Sequence, residues 1–273
     1  VQIAMNVHRL IFGVIAASLA ATSFAQPRPA ATPTVDKYGI YSEIVPPVTR
    51  IGLAIADPKT VVTLNLLPSD SLDFPHVLVD LDGEKRKEIP INENIGVKVE
   101  HPLLQTLTRL KAQRQDALRI VINAPADLRI FSYQLVLKDC AAAGLKEVYF
   151  ATRVAANAPA SLHFIPCPLP LRPFGKDAKP EELPPGSFDI VVRSRGAEGF
   201  QVSLAGGPQI AETALSKALD DQRKKLQAAG NAPDKAVVVV RARLNAQLQQ
   251  FLSVYQTVIE NKWPQIVISA TND

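Results

Sequence analysis

LRIVINAPADLRIFSYQLVLKDCAAAGLKEVYFAT, residues Leu118 to Thr152, and AVVVVRARLNAQLQQFLSVYQTVIENKWPQIVISA, residues Ala236 to Ala270, are two versions of one pattern set 118 positions apart. In gapless register only Val121/Val239, Ala124/Ala242 and Val136/Val254 are identical. The apolar positions coincide far more fully. Ile120, Ile122, Ile130, Tyr133, Leu137, Cys140, Leu145, Val148 and Phe150 align with Val238, Val240, Leu248, Phe251, Tyr255, Val258, Trp263, Ile266 and Ile268. A shared packing pattern tolerates changes that keep hydrophobic spacing while identity is lost, so the chain reads as two diverged copies of one small unit.

Each version predicts a strand, a helix and a second strand. Leu118–Ile122 and Ala236–Val240 are short runs rich in branched residues, the sign of strands buried on both faces. Leu244, Leu248, Phe251, Leu252, Tyr255, Val258 and Ile259 recur at spacings of three and four. Ile130, Tyr133, Leu137, Cys140 and Ala141 do the same, so each helix presents one apolar stripe to a sheet. Gly144 ends the first helix as a C-cap, and Gln265–Ala270 closes the second unit as a strand. The strand–helix–strand passages predict parallel strands joined by right-handed crossovers.

Working outward, Phe188–Arg193 and Phe200–Leu204 predict a hairpin around Gly196 and Gly199, and Gln209–Ala229 a long polar helix ending at Gly230. In the first copy His76–Asp80 and Lys85–Ile89 flank Asp82-Gly83 as the matching hairpin, with Pro102–Gln113 the matching helix. The expected fold class is α+β, two domains that are each a small mixed sheet with two helices packed on one face.

The boundaries follow from composition. His8 and Arg9 precede the apolar run Leu10–Ala21, and Ser23 and Ala25 are small residues suited to a cleavage site before Gln26, which predicts a signal peptide over 1–25. The apolar run is shorter than the roughly 20 residues of a transmembrane helix. The alternative is an uncleaved inner-membrane anchor over residues 10–25. Residues 26–47, opening QPRPAATPT, predict an extended tether. Domain 1 is expected over 48–155 and domain 2 over 187–273. Between them, residues 156–186 predict a linker, since seven prolines in the twenty-one residues Pro166–Gly186 exclude a helix or central strand across it. The expected location is periplasmic or secreted.

With 47% hydrophobic and 21% charged residues the chain has a globular composition. Its formal charge of +4 is spread out, and Arg223–Lys225 is only a short basic run on a helix surface, so no nucleic-acid partner is expected.

Four segments carry a resemblance: VTLNLLPSD (Val62–Asp70), VLVDLDGE (Val77–Glu84), RIVINAPADLRI (Arg119–Ile130) and AAAGLKEVYFAT (Ala141–Thr152). A leucine-proline segment, a strand ending in Asp-Gly, a strand entering an Ala-Asp loop and an Ala-Gly turn into the last strand resemble the periplasmic domain of the ExbD/TolR family. Those proteins are subunits of ion-driven complexes in bacterial envelopes. The resemblance covers about Val62–Thr152 and extends more weakly over Ser187–Thr271, where Leu244-Asn245 stands in place of Ala126-Asp127. It implies envelope transport or energy transduction as the setting, and dimers among single-domain relatives. The membrane aspartate that such proteins use in ion coupling has no counterpart in Leu10–Ala25, so ion translocation by this chain is not implied.

No catalytic, cofactor-binding or metal-ligating residues are expected, and no cofactor. There is no G-x-S-x-G elbow, no H-E-x-x-H and no glycine-rich phosphate loop. His76, His101 and His163 are scattered singly. Asp80, Asp82, Gly83 and Glu84 match the start of a calcium loop, but Lys85-Arg86-Lys87 follows where more acids are needed, which favours a tight turn. Cys140 falls in an apolar stripe as a small core residue and Cys167 in the linker; an exported chain leaves a disulfide between them open. Trp263 is expected to pack in the core. The expectation is therefore a non-enzymatic exported protein whose tandem copies pack together as an intramolecular pseudo-dimer, with an envelope protein or peptidoglycan as partner. The rival readings are a binding module unrelated to transport that captures a strand at a sheet edge, and a hydrolase with an unrecognised site.

Overall fold

Twelve strands and four α-helices are placed among the described residues of the computed structural model, which are 36–67, 76–81, 84–90, 102–114, 118–154, 162–167, 183–196, 199–243 and 245–270. The strands are β1 (Val48–Thr49), β2 (Val61–Leu67), β3 (His76–Leu81), β4 (Glu84–Pro90), β5 (Arg119–Asn123), β6 (Val148–Val154), β7 (Leu162–Pro166), β8 (Phe188–Ser194), β9 (Phe200–Leu204), β10 (Gln209–Ala211), β11 (Val237–Ala242) and β12 (Gln265–Ala270). The helices are α1 (Pro102–Arg114), α2 (Ile130–Ala142), α3 (Leu215–Ala228) and α4 (Leu248–Glu260). Residues 1–25, read as a signal peptide, Asp82-Gly83, read as a turn, His101, Leu244 and most of the proline-rich stretch lie outside the described residues.

The chain is a mixed α+β protein with two sheets. In the first, strands run in the order β6-β5-β2-β3-β4; in the second, β12-β11-β8-β9-β10. The strand directions agree as well. β5 is parallel to β2 and β6, and β11 is parallel to β8 and β12, while β2-β3-β4 and β8-β9-β10 are antiparallel meanders. The registers coincide too: Val62 pairs with Ile120 as Phe188 pairs with Val238, and Leu64 with Ile122 as Ile190 with Val240.

This register corrects the expected matching of hairpins. The counterpart of β8–β9 is β2–β3, not β3–β4, because Val61–Leu67 is itself a strand. Its residues Val61 to Leu66 are all buried, with Val62, Leu64 and Leu66 alternating with Thr63 and Asn65 as a strand requires. The long helix expected from Gln209 also begins later. Gly206 turns the chain at φ 71°, the Gly207 N–H donates to the Leu204 carbonyl, and Gln209–Ala211 returns along β9 as β10. A short 3-10 turn, Glu212–Ala214, then leads into α3 at Leu215.

Two short elements belong to the first sheet alone. β6 pairs with β5 through Val148–Phe150 and with β1 through Arg153–Val154, and it carries β7 antiparallel along Tyr149–Arg153. Leu162–Pro166, within the stretch read as linker, is thus sheet. Phe164 is joined in turn to Leu53 by reciprocal hydrogen bonds of 2.8 and 2.9 Å. Gly52 is required there, since a Cβ at that position would lie 2.4 Å from the His163 Cβ. Residues 36–47, read as part of the tether, contribute buried Ile40, Tyr41 and Ile44. Ile40 and Ile55 cover the outer face of the first sheet over Val61, Val121, Ala151 and Phe164.

On the inner faces, one continuous apolar core takes in both copies. Val62, Leu64, Ile120, Ile122 and Phe150 of the first sheet and Ile190, Val238, Val240 and Ile268 of the second join it together with all four helices. Pro33–Asp273 forms one compact unit. Burial of this kind stabilises by roughly 25 cal/mol per Å² of apolar surface, so a core continuous across the copies holds them together.

Candidate functional site at the junction of the two copies

A helix that packs on a sheet by one stripe leaves its other face to solvent, and α2 and α4 do not. Ser132 and Gln134 on α2, and Gln250, Gln256 and Thr257 on α4, are buried polar residues off the apolar stripe. Arg50, in the segment after β1, covers Gln256 and Thr257, while Gln250 is held by Ser194 and Gly199 of its own copy.

The junction is built from equivalent positions. Arg129 and Gln247, 118 residues apart and each the N-cap of its helix, form an isolated antiparallel bridge. The Ile130 N–H donates to the Ala246 carbonyl at 2.8 Å, and the Leu248 N–H donates to the Leu128 carbonyl at 2.8 Å. Ile130 corresponds to Leu248, and Leu128 to Ala246, so each bond is the other with the copies exchanged. One turn further along, Tyr133 meets Phe251 with ring centroids 5.8 Å apart, again residues of the same position. Self-matching of this kind defines an isologous contact, here made within one chain.

Residues 45–50 run across the junction. The Ala126 N–H donates to the Val45 carbonyl, and the Gln249 N–H donates to the Ala126 carbonyl. The Gln249 side-chain amide imitates a strand neighbour. It accepts from the Val48 N–H at 2.7 Å and donates to the Val48 carbonyl at 2.8 Å. The Arg50 N–H donates to Gln256 Oε1 at 2.9 Å, and the Arg50 guanidinium pairs with Glu260 at 2.8 Å. That hydrogen bond holds the Glu260 carboxyl below its ordinary range and raises Arg50. Tyr255 Oη donates to the Pro166 carbonyl at 2.7 Å, tying α4 to the end of β7.

The residues singled out in the sequence fall as follows. Ala126 sits at the junction, and Asp127 beside it is exposed. His163 lies on β7 opposite Thr152, while the side chains of His76, Asp80 and Glu84 lie outside what is described. Among the described residues no three His, Cys, Asp or Glu side chains gather to hold a metal ion, and no helix is long and apolar enough to cross a membrane. Cys140 and Cys167 form no disulfide; both are buried, and burial pushes both thiols well up, so neither is a ready nucleophile. Trp263 is buried against Phe188 with centroids 5.0 Å apart.

Packing of the two copies was expected from the sequence, but the residues that make the contact were not identified although they were aligned. Alignment of Tyr133 with Phe251 gives equivalence, and nothing in spacing says that equivalent residues touch. The glutamines were the available signal, since buried Gln250 and Gln256 and half-buried Gln249 crowd one helix otherwise rich in apolar residues. No family model matches the chain, and no curated protein matches it.

Proposed function

We propose that this chain is a non-catalytic, exported component of a bacterial envelope system of the ExbD/TolR kind, in which the tandem copies stand in for a dimer of single-domain subunits. The observation that carries the reading is the reciprocal pair of hydrogen bonds, Ile130 to Ala246 and Leu248 to Leu128, made by equivalent residues of two units with the same strand order. Support also comes from the ExbD/TolR-like segments, two of which, Arg119–Ile130 and Ala141–Thr152, fall on β5, the α2 entry, the α2 end and β6. The role is scaffolding or binding in the periplasm, and the partner is an envelope protein or the cell wall.

The partner is sought by crosslinking the intact protein in its own cells and identifying what is recovered with it. Recovery with membrane-embedded transport subunits is the expected result. Recovery only as an uncrosslinked soluble protein that ignores purified peptidoglycan would remove the reading.

A second reading, a binding module that captures a strand, is favoured by one difference between the sheets. The outer edge of β6 is occupied by β7, whereas the corresponding edge of β12 has no partner among the described residues. An open edge of unpaired backbone groups accepts an added strand.

A further inference from the structure

Beyond the junction, the second copy holds a cleft of about 440 Å³ between α3, the turn before β11 and the α4–β12 turn. Pro233, Trp263 and Pro264 supply its apolar wall, and Arg223, Lys262 and Asp234 its charges. Two replacements set it apart from the same place in the first copy. Lys262 holds a left-handed backbone, φ 57°, where the equivalent residue is Gly144 at φ 66°. A lysine kept where the backbone favours glycine points to a use for its side chain. Trp263 replaces Leu145, and its buried indole N–H has no acceptor among the described residues. Arg223 is fixed in the wall, its guanidinium 4.9 Å over the Trp263 ring, donating to the Asn261 carbonyl and 3.6 Å from Asp220 Oδ1.

The cleft is lined by two cations, one of them already beside Asp220, and by the carboxylate of Asp234, a mixed set of charges that points to the ligand class. A simple dianion would meet Asp234, and a simple cation would meet Arg223 and Lys262. A zwitterion meets both signs with an opposite charge, and a guanidinium already immobilised loses little entropy on pairing with a carboxylate. We infer that this cleft binds a free α-amino acid, with its carboxylate taken by Arg223 and Lys262, its ammonium by Asp234, and its side chain laid on Pro233, Trp263 and Pro264.

The chain has a single tryptophan, so its fluorescence and its indole N–H resonance report this cleft alone. The full chain is titrated with alanine, glutamate and lysine, each as L and D forms, to about 10 mM, enough to fill a site of millimolar Kd. The expected result is a saturable shift with at least one free amino acid. The shift should weaken about tenfold for its N-acetyl and methyl-ester forms and for Lys262→Gly and Asp234→Asn. Lys262→Gly restores the residue that the first copy uses, so its fold is not at risk. No saturable change with any of the probes, binding unaffected by Lys262→Gly, or equal binding of the N-acetyl form would each overturn the assignment.

Discussion

At Lys262 and Gly144 the two copies solve the same turn with different residues. In both, the helix ends with a left-handed residue whose N–H reaches back three positions, Gly144 to Ala141 and Lys262 to Ile259, and the next N–H reaches back five. This is the Schellman arrangement, and glycine suits it because it has no Cβ. Lys262→Gly is therefore expected to stabilise the protein by about 0.5–1 kcal/mol, the relief of left-handed strain less the greater freedom of glycine in the unfolded chain. A urea titration of both proteins measures it. Tyr133 gives a second case. Its hydroxyl is buried with no hydrogen-bond partner among the described residues, and its counterpart is Phe251. Tyr133→Phe removes an unsatisfied polar group, so the melting temperature should rise, by an amount corresponding to about 1 kcal/mol. A fall would show that the hydroxyl has a partner.

The elements are joined by side chains that replace missing backbone partners. Lys111 on α1 donates to the Ala143 and Gly144 carbonyls at the end of α2, and Arg223 on α3 donates to the equivalent Asn261 carbonyl at the end of α4. Each copy thus caps its second helix with a cation from its first, which also complements the negative end of the helix dipole. Arg50 and Glu260 tie β1 to α4 in the same manner. Their side chains are 55% and 34% exposed, so the pair contributes at most about 0.5 kcal/mol. Its sign is nevertheless defined. Because Glu260 titrates lower in the folded protein, its contribution is complete above the ordinary carboxylate value of 4.5 and disappears as pH falls through the lowered one. Carboxyl NMR should find the Glu260 midpoint below 4.5 and moved upward in Arg50→Met.

Much at this scale was legible in the sequence. α2, α4, β5 and β11 announced themselves through branched runs and helical spacing, and the parallel pairing of β5 with β6 and β11 with β12 followed from the connection. β2 and β10 were missed. The alternation of Val62, Leu64 and Leu66 with Thr63 and Asn65 was there to read in β2, whereas three residues after Gly-Gly-Pro carry too little pattern to separate from the helix that follows. β7 was hidden because Pro166 ends it and the prolines behind it dominate the composition.

At the scale of the molecule, the copies share a core, and residues 45–50 together with the Tyr255–Pro166 contact bind them a second time. A separate domain would keep its own core and a polar junction, and would be free to unfold alone. Here the junction centres on Tyr133, Phe251 and two reciprocal backbone bonds, so neither copy keeps its buried surface without the other. The sequence showed the duplication and the expectation that the copies pack together, but not the residues that meet, because Gln256 and Thr257, which Arg50 covers, read as a solvent-exposed pattern on α4. The same symmetry limits what the site can do chemically. The junction presents backbone groups, amides and one exposed ion pair, which suit holding and positioning.

The measurement that bears most directly on this account is the equilibrium unfolding of the intact chain in urea, followed by two probes at once. Fluorescence of Trp263 reports the second copy, and pulse labelling of the buried thiols Cys140 and Cys167 reports the first. Two copies joined through equivalent residues into one core should give coincident transitions with the same midpoint and slope. Transitions that separate, with one copy losing structure while the other remains folded, would contradict it.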